Sequence, residues 1–172
     1  SQSGKGGIGY VLEENFGFHI PGKMREDVGY TVKDVSDKQH RELVPKDILD
    51  VFKTVYVNIS SPIALKECHF IQKDGGIEAE ISLEKSGVDK LYHGRGNGRL
   101  DAVSNALQRH SDLDYSIVSY QEHALTVGSN SKACSYVAIQ KPNGTVVWGA
   151  GIHEDIITAS VLALISAVNR IQ

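Results

Sequence analysis

Residues 145–170 read Thr-Val-Val-Trp-Gly-Ala-Gly-Ile-His-Glu-Asp-Ile-Ile-Thr-Ala-Ser-Val-Leu-Ala-Leu-Ile-Ser-Ala-Val-Asn-Arg. A short strand-like apolar run passes through Gly149-Ala150-Gly151 into a long helical pattern starting near Asp155. Residues 88–109 do the same: strand-like residues 88–93 lead through Gly94-Arg95-Gly96-Asn97-Gly98 into a helix marked by Leu100, Ala102, Val103, Ala106 and Leu107. Working outward, each copy is preceded by two more strand patterns. The first has residues 64–72, a turn at Lys73-Asp74-Gly75-Gly76, residues 77–84 and a turn around Ser86-Gly87. The second has residues 115–127 and 133–140 and the tight turn Pro142-Asn143-Gly144. The chain therefore carries an internal repeat, and the repeat decides the fold class. It is α+β, a tandem β-β-β-α repeat of two three-stranded antiparallel sheets with covering helices, in units of about 63–110 and 114–171. Neither unit is expected to be stable alone.

The two helices differ. The first shows an ordinary amphipathic stripe, whereas Ile156, Ile157, Val161, Leu162, Leu164, Ile165 and Val168 spread nearly all round the second. A helix without a polar face must be buried on both sides, at the centre of the fold or against a partner chain, and this predicts a homodimer interface.

Residues 1–57 read as a small, mainly helical subdomain in front of the repeat. Gly4-Lys5-Gly6-Gly7 reads as a flexible loop before the apolar residues 8–12. Pro21-Gly22 then punctuates the chain ahead of a helical stretch at 23–35. A second helix spans Pro45–Tyr56, with Ile48, Val51, Phe52 and Val55 on one face. Residues 36–43 form the expected connecting loop, and residues 58–62 the hinge to the repeat.

At 172 residues, with 41% of them hydrophobic, the chain can bury a substantial core. Its 18 basic and 21 acidic residues form no long run of one sign, which argues against nucleic acid or an anionic membrane surface as partner. The apolar residues 156–168 are too short to cross a bilayer, and no signal-peptide pattern opens the chain, so a soluble, cytoplasmic protein is expected. Cys68 and Cys134 lie far apart in strand patterns and read as reduced, buried thiols.

The chemical motifs are weak. Gly4-Lys5-Gly6-Gly7 lacks the spacing of a phosphate loop, and Gly94-x-Gly96-x-Gly98 misses the dinucleotide fingerprint by one residue among hairpin-connected strands. Both glycine pairs, here and at Gly149-x-Gly151, either make the strand-to-helix turn or expose amides that hold a carboxylate or phosphate at a helix start. The seven histidines show no metal-ligand spacing, and no nucleophile elbow is present. Asp101 and Glu154-Asp155 read as complements to helix dipoles.

Three segments in order resemble the C-terminal part of the long form of the 2-isopropylmalate synthases. They are Ser3-Gly4-Lys5-Gly6-Gly7-Ile8 with the helical subdomain, Gly94-Arg95-Gly96-Asn97-Gly98-Arg99-Leu100-Asp101-Ala102, and Gly149-Ala150-Gly151-Ile152 leading to Ile156-Ile157-Thr158-Ala159-Ser160 and Ala167-Val168-Asn169-Arg170. Tyr120-Gln121-Glu122-His123-Ala124 adds to the match, which covers nearly the whole chain.

The resemblance implies a helical linker subdomain at 1–57 and a leucine-binding regulatory and dimerisation domain at 63–172. In that family the regulatory domain forms a homodimer and binds L-leucine for feedback inhibition. Condensation of acetyl-CoA with 3-methyl-2-oxobutanoate belongs to an N-terminal, divalent-metal-dependent barrel. Such a barrel takes roughly 200 to 250 residues, more than this chain holds. The chain alone is therefore expected to have no catalytic residues, cofactor or metal site of its own, and to partner the catalytic barrel of an acyltransferase. Carried over by motif position, the implied leucine site comprises Asn97, Gly98, Leu100, Ile117, Tyr120, Ala124, Ser131, Ala133 and Ile156. Leu100, Ile117 and Ile156 can wall an isobutyl group, and amides at the Gly98 turn can receive the α-carboxylate. Ser131 departs from the family, which has a small apolar residue there. Two readings stand beside it: a citramalate synthase regulatory domain sensing isoleucine, and a dimerisation scaffold without effector binding.

Overall fold

The computed structural model of the chain describes residues 5–127 and 130–171. Three helices, α1 (Lys5–Phe16), α2 (Gly22–Gln39) and α3 (Pro45–Tyr56), precede the repeat. The first unit is β1 (Ile63–Lys73), β2 (Gly76–Lys85), β3 (Val88–Gly96) and α4 (Arg99–Arg109). The second is β4 (Ser116–Val127), β5 (Asn130–Gln140), β6 (Val146–His153) and α5 (Ile156–Arg170). Each trio of strands forms its own antiparallel sheet in sequential order, so the architecture is the tandem β-β-β-α arrangement behind a helical segment. The first two hairpins turn on Asp74-Gly75 and Ser86-Gly87, all four residues at positive φ, as two-residue turns between twisted strands require.

The strand-to-helix glycines have a reason that neither the turn nor the anion reading supplied. Strands β3 and β6 continue through them, beyond the expected ends at residues 93 and 148, so Gly94, Gly96, Gly149 and Gly151 sit inside strands. A Cβ on Gly94 would be driven into Ala102 O and Ala106 N, and one on Gly96 would come within 2.7 Å of Ala102 N. Gly149 and Gly151 stand in the same relation to the backbone of Ala159, Ala163 and Ala167. Both units thus use glycines on the third strand against alanines on the helix, letting helix backbone settle directly onto the sheet.

The sheets differ in what covers their second face. On β2, Ala79, Ile81 and Leu83 point inward to α4 and α5. The opposite face carries the cross-strand pairs Glu80–His93 (2.9 Å) and Glu78–Arg95 (3.5 Å), which stay in solvent. On β5 every residue from 133 to 139 is buried. Val137 and Ile139 join the α5 core, and Cys134, Tyr136 and Ala138, with Trp148 and Ala150, join a second core built by α1, α2 and α3. The thiols of Cys68 and Cys134 are free, one on each sheet, and burial pushes them up to about 11 and about 12.

Several local expectations change. Lys5, Gly6 and Gly7 belong to α1 and not to a loop, because Ile8 and Leu12 anchor that helix in the second core; Gly4 lies outside the described residues. Helix α2 runs on to Gln39, leaving a shorter connection than 36–43, because Lys33–Asp37 (3.1 Å) and Asp34–Lys38 (3.0 Å) extend its solvent face by another turn. It ends at His40 in the left-handed conformation (φ 53°).

The segment 58–62 is clamped and not hinged. Asn58 pairs with the edge of β6: its amide donates to Ala150 O (2.9 Å), its side chain donates to Ile152 O (3.1 Å) and accepts from Ile152 N–H (2.9 Å). Buried Asn169 accepts from Ile63 N–H (2.9 Å) and donates to Ile59 O (2.7 Å) and Ile63 O (2.8 Å). Helix α5 is buried nearly all round, but within its own chain, against β5, β6, α4 and β1. Its apolar circumference therefore needs no partner subunit, and the sequence argument for a dimer built on it loses its premise.

Candidate functional site

Helix α4 begins at Gly98, whose backbone is extended (φ −135°, ψ 175°) and which offers no side chain to cap the helix. The first bond along the helix is Ala102 N–H to Gly98 O at 3.0 Å, so the first-turn amides before it have no acceptor within the helix. Helix α5 begins differently. The Asp155 carboxylate accepts from Thr158 N–H (2.9 Å) and Thr158 Oγ1 (2.8 Å), and those bonds hold its pKa below the ordinary carboxylate value.

The open end of α4 faces a cleft of about 360 Å³ lined by Gly98, Arg99, Leu100 and Asp101, by Ile117 and Tyr120 of β4, and by Ile157, Ser160 and Val161 of α5. Three elements from both units therefore meet at one place. Leu100, Ile117, Ile157 and Val161 supply an apolar wall. On the other side Tyr120 Oη lies 2.6 Å from Ser160 Oγ, which lies 3.2 Å from Ser135 Oγ. A carboxylate only accepts, so the Tyr120 hydroxyl donates to Glu122, and the single Ser160 proton is shared between Tyr120 Oη and Ile156 O (3.0 Å). Burial, then Glu122, raises the Tyr120 pKa above the ordinary phenol value. Of two larger depressions, one of about 450 Å³ beside Leu107 and His110 has no helix start, and one of about 840 Å³ between α2 and the outer face of the second sheet includes the start of α2 at Pro21–Lys23, also without a side-chain cap; neither has this tyrosine–serine–glutamate set.

Of the residues singled out from the sequence, Gly98, Leu100, Ile117 and Tyr120 line the cleft; Asn97 lies in the turn before it, and Ile156 adjoins Ile157. Ala124 and Ala133 are cross-strand partners and Ser131 pairs with Thr126, further along the β4–β5 ladder. By the two-residue alternation they share the face of Tyr120 and Glu122, but they do not line the cleft. Sequence reasoning missed Arg99, Asp101, Ile157, Ser160 and Val161 as lining residues, and Glu122. Ser160 was within reach, four residues after Ile156 on the same helix face, as was Glu122, two residues after Tyr120 on the same strand face.

Among the described residues, no three His, Cys, Asp or Glu side chains converge as a metal-ligand set. No described helix is long and apolar enough to cross a membrane.

Comparison with known proteins shows the family. Residues 42–172 match the model of the LeuA allosteric (dimerisation) domain. Over 98% of its length the chain is 52% identical to a 2-isopropylmalate synthase of Desulfitobacterium hafniense (strain Y51), covering 30% of that protein. It is 42% identical to the 2-isopropylmalate synthase of Helicobacter hepaticus over 99% of this chain and 32% of that protein. The corresponding enzyme of Clostridium acetobutylicum is 39% identical over 99% of this chain and 31% of its own length. The chain thus spans about a third of the length of these relatives, and it belongs to the LeuA allosteric (dimerisation) domain family, the regulatory domain of 2-isopropylmalate synthases.

Proposed function

We propose that the cleft at the start of α4 binds L-leucine and that the chain is the feedback-sensing, homodimer-forming part of a 2-isopropylmalate synthase. The observation that carries the reading is an uncapped helix start opening on an apolar cleft whose far side is a tyrosine–serine–glutamate cluster. These three features match the three parts of an aliphatic α-amino acid. The first-turn amides of α4 donate to the α-carboxylate at the positive end of the helix dipole. Leu100, Ile117, Ile157 and Val161 enclose the isobutyl group. Asp101 and the Tyr120–Glu122 pair offer acceptors for the ammonium group.

The catalytic barrel, its divalent metal and the condensation of acetyl-CoA with 3-methyl-2-oxobutanoate are assigned to the rest of a parent acyltransferase in the cytoplasm. Regulation then requires leucine to bind one arrangement of the domain more tightly than another.

Calorimetric titration with L-leucine, L-isoleucine and L-valine tests the reading. Saturable binding selective for leucine and lost in Tyr120→Ala is the expected result. Selective isoleucine binding would move the chain to the citramalate synthase reading. Silence from all three, with a dimer by sedimentation, would leave a scaffold without an effector.

A further inference from the structure

Strand β4 has two functional faces. Tyr120 and Glu122 point toward α5 and the cleft; between and beyond them, Gln121, His123 and Leu125 point to the helical segment. His123 makes an organised set of bonds there. Its Nδ1 lies 2.8 Å from Ala124 O, which can only accept, so Nδ1 carries the proton. Nε2 of the neutral ring is then a bare acceptor. It receives the backbone N–H of His19 (3.2 Å), in the linker between α1 and α2, and the hydroxyl of Tyr136 on β5 (2.8 Å). The His123 ring stacks on Tyr136 and meets the His19 ring edge-on, with centroids 5.5 and 4.8 Å apart.

We propose that His123 is a clamp released by protonation: neutral, it holds the α1–α2 linker on β4, and protonated at Nε2 it lets that linker go. The reason is the direction of the bonds. A proton on Nε2 turns the acceptor into a donor; the Tyr136 hydroxyl can rotate to accept it, but the His19 amide is a fixed donor and loses its partner. Of the groups facing the ring, only the Ala124 carbonyl favours the protonated form. The His19 imidazole, tied through Nδ1 to Glu13 (2.7 Å) on α1, opposes a positive charge on His123. Tyr136 and Cys134, the latter opposite His123 on β5, are held neutral by burial and offer no compensating anion.

Burial, opposed by the Ala124 carbonyl and reinforced by His19, holds the His123 pKa below its ordinary 6.5. The released ring takes a proton before the docked ring does. Docking is therefore strongest above the ordinary value and weakens as pH falls from it toward the docked pKa. The place of this clamp in regulation rests on the effector reading of the cleft; its chemistry does not. Because cleft and clamp occupy opposite faces of one strand, leucine binding should shift the proton affinity of His123.

The test is an NMR titration of the histidine-labelled chain, following the His123 ring and exchange of the His19 amide, with and without saturating L-leucine. Protection of the His19 amide, corrected for intrinsic exchange, should fall about tenfold per pH unit as the clamp takes up its proton. The Glu13→Gln variant changes the partner of His19 and leaves the His123 acceptor in place, so the correlation with His123 should persist. Level His19 protection while His123 protonates overturns the clamp, as does a correlation that follows His19 in Glu13→Gln. Leucine that binds without moving the His123 midpoint refutes the coupling to the cleft. Failure of leucine to bind refutes the effector reading, and the clamp is then decided by the His19 amide alone.

Discussion

The two β-β-β-α units share one construction and divide the labour. Both dock a helix onto a sheet through glycines on the third strand and alanines on the helix. The second unit is enclosed: β5 is buried on both faces, α5 is buried nearly all round, and Asp155 closes the start of that helix. The first unit is half open. The outer face of its sheet is a solvated lattice of charge pairs, and α4 begins with no side-chain cap. One copy of the repeat is the core on which the helical segment is mounted, and the other leaves its helix start without a side-chain cap.

The largest way to break this comparison is to disturb the shared docking device in each unit. Gly149→Val should cost about 4 kcal/mol, because the new side chain meets the backbone of a helix buried nearly all round. Gly94→Val should cost at least about 1 kcal/mol less, since α4 is solvated on one side and can move away. Urea denaturation of both variants measures the difference; equal costs would mean that the two units are equally confined.

Next in size is the clamp between the segments. Asn169→Ala removes three hydrogen bonds to the backbone of residues 59 and 63 and should cost about 3 kcal/mol by the same measurement. A loss below about 1 kcal/mol would show that residues 58–62 are a hinge after all.

Exchanging the helix starts sharpens the comparison further. Gly98→Asp gives α4 the cap that α5 has. It should raise stability by a few tenths of a kcal/mol, roughly, while weakening L-leucine binding by about tenfold or more, because the new carboxylate competes for the same amides. Asp155→Ala, the reciprocal change, should cost about 1 kcal/mol of stability and leave leucine affinity within about twofold. Leucine binding that is indifferent to Gly98→Asp would remove the helix start from the site. The smallest effect is on pH. The Asp155 pKa is depressed below 3.8 in the folded chain, so its cap contributes fully above that value and is lost as pH falls through the lower folded pKa. Acid should therefore remove the side-chain cap of α5 and fray its start, which amide exchange near Thr158 would read.

Much of this was legible in the residues. The strand alternation, the hairpin turns at Asp74-Gly75 and Ser86-Gly87 and the repeated strand-to-helix junction each depend on neighbours a few positions away, and such local patterns survive in the one-dimensional string. Four lining residues of the cleft, Gly98, Leu100, Ile117 and Tyr120, came through resemblance, because motif order preserves position even where chemistry is not visible. Ser160 and Asp101 were passed over because a serine in an apolar helix and an aspartate in a first turn have ordinary local explanations.

What only the tertiary structure decided was what covers what. Period-two alternation on β5 marks one face as apolar but says nothing of the helical segment that buries the other. An all-apolar α5 announces burial without naming its neighbours, and these proved to lie in the same chain. The glycine pairs required the other half of each contact, the alanine backbone brought against them by folding, before their role could be read. The sequence by itself determines local geometry and the demand for burial; which surfaces meet that demand depends on contacts between residues a hundred positions apart, as between Asn58 and Ile152, and those exist only once the chain is folded.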